Sequence, residues 1–236
     1  MPISSVKTVG LSRAYDDDYA LVDLTTEFVT GTVTAVLGPN GAGKSTLMSC
    51  LSTLARPTEG TVLFDGRAVT AQDADARMHI GYVGHQIMLY GALTARENLV
   101  FFGRMYGLDD LDARVTTWLD AVELTRDADR PVEDFSRGMA QRLSIARALI
   151  SEPSLLLLDE PFTGLDQRGL QCAQSLFDQR RDQGAIIVLV SHDLKMTAQL
   201  ADRVLILRRG RTIFDGPADS DIAHQYHEAL HSGGQR

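Results

Sequence analysis

The segment 38–45 combines the residue types that are needed to bind a polyphosphate. Its sequence, GPNGAGKS, fits the pattern G-x-x-x-x-G-K-[ST] and lies between an apolar run and a helix-compatible stretch. Its glycines allow backbone N–H groups to approach an anion, and the dipole of the following helix points at the same anion. Lys44 supplies a positive charge for the outer phosphates, and Ser45 supplies a hydroxyl ligand for Mg²⁺. The sequence therefore predicts a nucleoside triphosphate site formed by Gly38, Pro39, Asn40, Gly41, Ala42, Gly43, Lys44, Ser45 and Thr46.

Two later apolar runs end in residues that suit phosphate chemistry. The run 155–158 leads into Asp159 and Glu160, and the run 186–190 leads into Ser191 and His192. A carboxylate at the end of a strand beside a phosphate-binding loop is placed to hold Mg²⁺, which we expect of Asp159. Glu160 is the candidate general base for an attacking water. His192 would donate a hydrogen bond to the γ-phosphate, although a single histidine is more often structural.

The segment FSRGM, residues 135–139, predicts a second helix N-terminus that is able to receive an anion. Ser136 is a good N-cap, and Gly138 allows close backbone approach. Because this segment follows a long helical stretch, it need not point at the phosphate-binding loop of its own chain and could serve a nucleotide that is held by another copy.

Composition limits the cellular context. The net charge of −8 argues against a nucleic-acid partner. The cysteines, Cys50 and Cys172, are far apart and predict a reducing compartment without a disulfide framework. The N-terminus lacks the apolar core of a signal peptide, and the longest apolar runs are shorter than the ~20 residues of a membrane span. We therefore expect a cytoplasmic chain that meets a membrane only through a partner.

The hydrophobic pattern predicts an α/β fold with a mainly parallel sheet. Continuous apolar runs separated by helices indicate a sheet that is covered on both faces, and Asp65-Gly66 predicts a hairpin among flanking antiparallel strands. We expect Pro57 to end the helix after the phosphate-binding loop, and Asp110 or Asp112 to cap a helix of an inserted α-helical subdomain. The predicted division is a nucleotide-binding core, 1–86 and 151–236, with the helical subdomain at 87–150.

The motifs GPNGAGKST, FSRGM, LLLLDEP, TGLD and SH occur in this order, and together they resemble the nucleotide-binding subunit of an ABC transporter. The resemblance implies a P-loop NTPase fold and a head-to-tail dimer with ATP between one P-loop and the partner's Ser136 segment. We expect a homodimer, with a heterodimer as the alternative. It implies that Asp159 organises Mg²⁺, that Glu160 is the catalytic base and that His192 is the switch histidine. It places Asp166 in the D-loop and Tyr15 against adenine.

The chain departs from the family pattern at two places. The signature usually reads LSGGQ, whereas here Phe135, Arg137 and Met139 differ, and we expect the serine and second glycine to keep the γ-phosphate contact. The Q-loop glutamine, which links Mg²⁺ and water to the membrane partner, is assigned to Gln86. A reading without gaps places His85 at that position instead, so both remain open.

The resemblance also implies a role in export, through a separate integral membrane permease at the cytoplasmic face of the cell membrane. The stretch FSRGMAQRLSIARAL is similar to the ATPase of haem exporters in cytochrome c maturation. Exporters of drugs, lipids or polysaccharides are the alternatives, as is a soluble ABC-type ATPase of an assembly complex. The segment 87–102 is the predicted contact surface for the permease.

Two further patterns have simpler interpretations. His224, His227 and His231 are spaced to share one helix face, which indicates a solvated polar face rather than a metal site. The arginines at 137, 142 and 147 indicate a solvated or subunit-facing stripe rather than a nucleic-acid surface.

Overall fold

A computed structural model describes residues 3–16, 18–84 and 86–232. The strands are β1 (Ser5–Tyr15), β2 (Asp18–Val29), β3 (Val33–Leu37), β4 (Glu59–Phe64), β5 (Arg67–Ala68), β6 (Ile80–Val83), β7 (Leu155–Asp159), β8 (Ile186–Val190), β9 (Arg203–Arg208) and β10 (Arg211–Pro217). The α-helices are α1 (Lys44–Leu51), α2 (Ala74–Met78), α3 (Ala95–Met105), α4 (Leu111–Ala121), α5 (Arg137–Leu149), α6 (Gln167–Asp182), α7 (Leu194–Leu200) and α8 (Ile222–Ser232).

The larger sheet of the described chain has the strand order β10-β9-β3-β8-β7-β6. Strands β6, β7, β8, β3 and β9 pair in parallel, and β10 is antiparallel to β9. Every residue of β3, β7 and β8 is buried, because helices or a second sheet cover both faces. The predicted α/β fold with a mainly parallel sheet is confirmed, and the carboxyl ends of β3, β7 and β8 meet at one edge.

A smaller antiparallel sheet, in the order β2-β1-β4-β5, covers one face of the parallel sheet together with α1. Helices α5, α6 and α7 cover the opposite face. The predicted hairpin joins β4 to β5, and its turn residues Asp65 and Gly66 have φ of 48° and 80°. These left-handed values match the twist of a tight hairpin, which is why the Asp-Gly pair suits this place.

The helical stretch between β6 and β7 forms its own hydrophobic cluster around Leu99, Val115, Leu119 and Leu143. Helix α5 also packs on the parallel sheet, so it belongs to both layers. The division of the chain at 86 and 151 stays a prediction. Among the described residues, no helix has both the length and the apolar character that crossing a membrane requires.

One expectation about a helix end was wrong, and a second was met in position but not in hydrogen bonding. Helix α1 ends at Leu51, well before Pro57, because Thr53 has a φ of 62° and turns the chain away. Asp110 does occupy the N-cap position of α4, but its φ of 52° goes with no side-chain capping hydrogen bond. Asp112 lies in the first turn of that helix, where its charge still favours the N-terminal dipole.

Candidate active site

Seven of the nine predicted phosphate-binding residues, Asn40 to Thr46, border one cleft of about 350 Å³ at the carboxyl edge of the parallel sheet, and Gly38 and Pro39 are not among its lining residues. It joins the loop after β3 to the ends of β7 and β8, which adjacent pairing of these strands makes possible. The lining residues are Ala20, Asn40, Gly41, Ala42, Gly43, Lys44, Ser45, Thr46, Asp159, Glu160, Val190 and His192. The structure thus brings together Lys44, Asp159, Glu160 and His192, which are far apart in the sequence.

The loop before α1 has the tight backbone path that a phosphate-binding loop requires. Gly43, at the N-cap of α1, has a φ of 104°, and a Cβ there would collide with the carbonyl oxygen of Ala20. No larger residue fits that position, so the backbone of β2 can close against the loop. Helix α1 therefore begins with its N–H groups directed at the cleft, where an anion is favoured.

Lys44 is buried inside this loop, with only 9% of its surface exposed. Its Nζ donates hydrogen bonds to the carbonyl oxygens of Gly38, at 2.7 Å, and Pro39, at 3.1 Å. Burial lowers the pKa of Lys44, and the nearby carboxylates of Glu160 and Asp159 oppose that change. The ammonium group is therefore held in the cleft by neutral carbonyls that an anionic phosphate can outcompete.

Glu160 follows β7 with a left-handed backbone, φ 54°, and its N–H donates to the carbonyl of Val190 at 2.9 Å. Its Oε1 is buried and has no hydrogen-bond partner among the described protein atoms. The nearest cationic candidate is Nε2 of His192, 3.7 Å away. Burial raises the pKa of Glu160, while His192 acts in the opposite direction. A half-buried carboxylate with an unpaired oxygen is well suited to accept a proton from water.

The raised pKa of Glu160 predicts the acidic limb of the activity profile. If Glu160 is the base it must be ionised, so we expect kcat/KM, which reports the free enzyme, to rise with pH through a pKa above the ordinary glutamate range. In His192→Ala the pKa of Glu160 should rise further, because His192 lowers it in the wild type. Carboxyl NMR, with the signal assigned by its loss in Glu160→Gln, measures this pKa directly. An unchanged or lower pKa in His192→Ala would contradict the assigned electrostatics.

The donors in the cleft fit a magnesium ion, which the ABC resemblance implies. Ser45 is exposed at the first turn of α1, and Asp159 is 6% exposed at the end of β7, and both line the cleft. A hydroxyl and a carboxylate are hard oxygen ligands of the kind that Mg²⁺ prefers together with phosphate oxygens. Gln86, the third predicted ligand, is exposed and is not among the lining residues. His85, its alternative, lies outside the described residues.

Three predicted nucleotide-binding residues lie away from this cleft. Ser136 is exposed and caps α5 as predicted, its Oγ accepting from the N–H of Met139 at 3.2 Å. Asp166 caps α6, accepting from the N–H of Gly169 at 2.8 Å. Gly138 belongs with them, since a Cβ there would lie 2.8 Å from the carbonyl oxygen of Gly164, in the loop before Asp166. The two loops are therefore packed together as one surface.

Tyr15 also lies outside the cleft lining, at the end of β1. It is 48% exposed, and the guanidinium of Arg13 lies 4.5 Å from its ring centroid. One ring face therefore already has a cationic neighbour, which does not prevent adenine from stacking on the other. The adenine contact of Tyr15 stays a prediction.

Sequence reasoning missed two residues of the cleft. Ala20 and Val190 line it, although neither carries a chemical group that a motif search would select. Ala20 enters because β2 closes over Gly43, a contact between distant segments that no spacing rule reveals. Val190 ends a predicted strand two residues before the motif residue His192, and this proximity could have identified it as a cleft residue.

Comparisons with known proteins agree with this geometry. A family profile described as ABC transporter matches residues 21–163. The chain is 38% identical to the daunorubicin resistance ATP-binding protein DrrA3 of Streptomyces coeruleorubidus over 93% of the chain and 70% of that protein. It is 37% identical to the Nod factor export ATP-binding protein I of Sinorhizobium fredii over 94% of the chain and 65% of that protein.

A similar solved structure is a dimeric post-hydrolysis state of the ATP-binding cassette MJ0796 bound to ADP and Pi. Its TM-score is 0.82 at 28% identity, covering 90% of this chain and 98% of that one. Its fold agrees with the parallel sheet, flanking antiparallel sheet and helical stretch described above. The chain therefore belongs to the ABC transporter family, as an ATP-binding and ATP-hydrolysing subunit.

Proposed function

We propose that the chain powers export through a separate membrane permease, and that it hydrolyses ATP as a head-to-tail homodimer. The observation that carries the dimer is the separation of Ser136, Gly138 and Asp166 from the cleft that holds Lys44 and Glu160. In one chain, the cleft is one half of a closed nucleotide site, and the surface that carries Ser136 is the other half of a different site. A second copy, rotated by a two-fold axis, supplies the missing half. The dimeric state of MJ0796 supports this arrangement.

In the proposed reaction, the γ-phosphoryl group passes to water and ADP leaves. Lys44 exchanges its carbonyl partners for the outer phosphate oxygens and holds them in place. Glu160 accepts a proton as water oxygen bonds to the γ-phosphorus and the bond to the bridging oxygen breaks. His192, 3.7 Å from Glu160, is placed to donate to a γ-phosphate oxygen. Bound Mg²⁺, held by Ser45 and Asp159, would neutralise phosphate charge.

An exposed apolar area on α3 and the preceding loop is the proposed contact surface for the permease. This docking surface consists of Met88, Tyr90, Phe101 and Met105, which are 38%, 50%, 37% and 66% exposed. A shallow groove of about 510 Å³, mostly apolar, lies between Leu93, Val100 and Met105. Such an area on a subunit that must work with a membrane protein suits a short amphipathic helix from the partner. Through it, the chain would lie at the cytoplasmic face of the membrane.

The relatives favour one of the cargo alternatives. Their names concern daunorubicin resistance and Nod factor export, so we propose a drug-like cargo for the permease of this chain. Haem export in cytochrome c biogenesis, the narrower sequence-based prediction, gains no support from these names. The chain spans about two thirds of the two relatives, and the cargo pathway lies in the partner in any case.

Co-purification tests the export assignment. We expect the tagged chain, expressed in its own cell, to co-purify from detergent-solubilised membranes with one integral membrane protein. Phe101→Glu, which places a charge in the docking surface, should abolish that association, while Mg-ATP binding to the P-loop of the purified chain is retained. Leu54→Glu, at a residue 70% exposed outside that surface, is the matched control and should retain the partner. Retention of the partner by Phe101→Glu would contradict the assigned surface.

Ser136→Arg tests the shared nucleotide site. The larger side chain should block dimer closure and lower turnover roughly 10²-fold, while Mg-ATP binding to the P-loop of the isolated chain changes little. Equilibrium binding of a fluorescent ATP analogue and steady-state ATPase rates separate these effects. Ser136→Ala is the control, because it removes the N-cap at a cost of about 1 kcal/mol without adding bulk. Wild-type turnover in Ser136→Arg would mean that Ser136 does not meet a phosphate.

A further inference from the structure

Arg147 is a buried cation that the reaction proposed above does not use. It lies near the end of α5, is 5% exposed, and carries no carboxylate partner among the ion pairs of the described residues. Its Nη2 donates to the carbonyl oxygen of Tyr82 at 2.7 Å, while its Nε is buried without a hydrogen-bond partner in that part of the chain. Burying a guanidinium on one backbone carbonyl is costly, so its position needs an explanation.

The acceptor of Arg147 lies on the strand that leads to the nucleotide site. Tyr82 belongs to β6, which pairs in parallel with β7 so that Tyr82 is opposite Leu157, just before Asp159. Gln86 follows β6 directly along the chain. Helix α5 also touches β6 at the backbone, since a Cβ on Gly81 would lie 2.5 Å from the carbonyl oxygen of Ala148. Arg147 therefore sits at a close junction between α5 and β6.

The other side of the guanidinium faces the docking surface. Its central carbon lies 5.3 Å from the ring centroid of Phe102 on α3. The Phe102 ring in turn contacts Phe101, at 5.3 Å, and Tyr90, at 6.1 Å, both of which belong to the docking surface. Asn98 fixes Tyr90 to α3, because its Oδ1 accepts from the Tyr90 N–H at 2.9 Å and its Nδ2 donates to the Tyr90 carbonyl at 3.0 Å.

We propose that Arg147 is a positioning residue that joins the aromatic docking surface to strand β6 and so to the nucleotide cleft. Phe102 fixes the plane of the guanidinium, and the guanidinium fixes the carbonyl of Tyr82 shortly before Gln86. A displacement of α3 by the partner then reaches the strand next to β7, which ends at Asp159. This inference rests on the proposed function, because it gives the docking surface a physical link to ATP hydrolysis.

Kinetics of the purified full-length chain test this link, with Arg142 as the matched control. Arg142 lies on the same helix, and its Nη1 also donates to a backbone carbonyl at 2.9 Å, but this carbonyl is that of Val122 at the end of α4, and the Glu123 carboxylate lies 3.7 Å from the same nitrogen. We expect Arg147→Met to lower kcat about tenfold or more, since small misplacements of reacting groups have effects of this size. The Kd for ATP should stay within about twofold, because the P-loop is untouched. Arg142→Met should lower Tm to a similar extent without this loss of kcat.

A double-mutant cycle identifies the path. Phe102→Leu should lower kcat in the wild-type background and have no further effect in Arg147→Met or Arg147→Lys, since lysine keeps a donor but lacks the planar face. If Arg147→Met does not fold, Arg147→Lys completes the cycle. Additive effects of the two substitutions, or an equal loss of kcat in Arg142→Met, would overturn the proposal. Absence of ATPase activity in the wild type itself would instead count against the proposed function.

Discussion

Glu160→Gln is expected to bind ATP as tightly as the wild type and to hydrolyse it about 10²–10⁴-fold more slowly. Glutamine keeps the size of the side chain and its place over the cleft, but an amide cannot accept the proton that water must lose. The left-handed backbone of residue 160 is present in both forms, so folding should be little affected. Because the γ-phosphate is retained, the closed dimer should accumulate. Single-turnover hydrolysis and light scattering with Mg-ATP measure the two effects.

Glu152→Gln is the matched control for this prediction. Glu152 is an exposed glutamate whose φ of 51° is also left-handed, but it lies in the turn between α5 and β7, where it pairs with Arg114. Its replacement should leave kcat unchanged. If Glu160→Gln keeps more than about a tenth of wild-type kcat, a general-base role is contradicted. If it stays monomeric with Mg-ATP at high protein concentration, the head-to-tail dimer is contradicted instead.

Lys44→Ala is expected to weaken ATP binding roughly 10–100-fold, because a charge-assisted hydrogen bond of about 1.5–3 kcal/mol is lost from a desolvated site. The change also leaves the carbonyls of Gly38 and Pro39 without their donor. Lys44→Arg should not restore binding, since the larger planar guanidinium does not fit a loop shaped around a buried ammonium. Calorimetric titration with Mg-ATP measures the affinity of each variant.

Lys195→Ala supplies the control for the charge itself. Lys195 is an exposed lysine on α7, outside the cleft, so its removal changes the net charge equally. We expect wild-type ATP affinity in this variant. Equal losses in Lys44→Ala and Lys195→Ala would show that long-range charge, rather than a contact in the P-loop, controls binding.

The candidate site was largely predictable because its residues follow strand ends. Asp159 and His192 lie at the ends of apolar runs, and Lys44 lies at the end of the loop that follows another such run, β3. In a parallel sheet such positions meet at one edge. The order of the strands was not predictable, because β3 pairs with β8 and β9, which come much later in the chain. The left-handed backbone of Glu160 was likewise hidden, since no residue type near it requires that conformation.

Arg147 is the clearest case in which sequence reasoning was wrong. Its spacing from residues 137 and 142 predicted a solvated or subunit-facing position, yet it is buried. A charged residue on a helix is predicted to be exposed unless its partner is known. Here the partner is the backbone carbonyl of Tyr82, 65 positions earlier. Backbone acceptors carry no sequence signal. The buried Asn98, which fixes Tyr90 to α3, was missed for the same reason.

At position 160, the residue that the proposed catalysis needs differs from the residue that the backbone conformation favours. A left-handed φ at a residue with a Cβ costs about 1 kcal/mol or more, whereas glycine adopts it freely. A glycine at position 160 would therefore stabilise the fold, but it would also remove the proton acceptor. Substitutions that raise the stability of this protein and keep its activity must therefore lie at other positions, because at position 160 a gain in stability costs turnover.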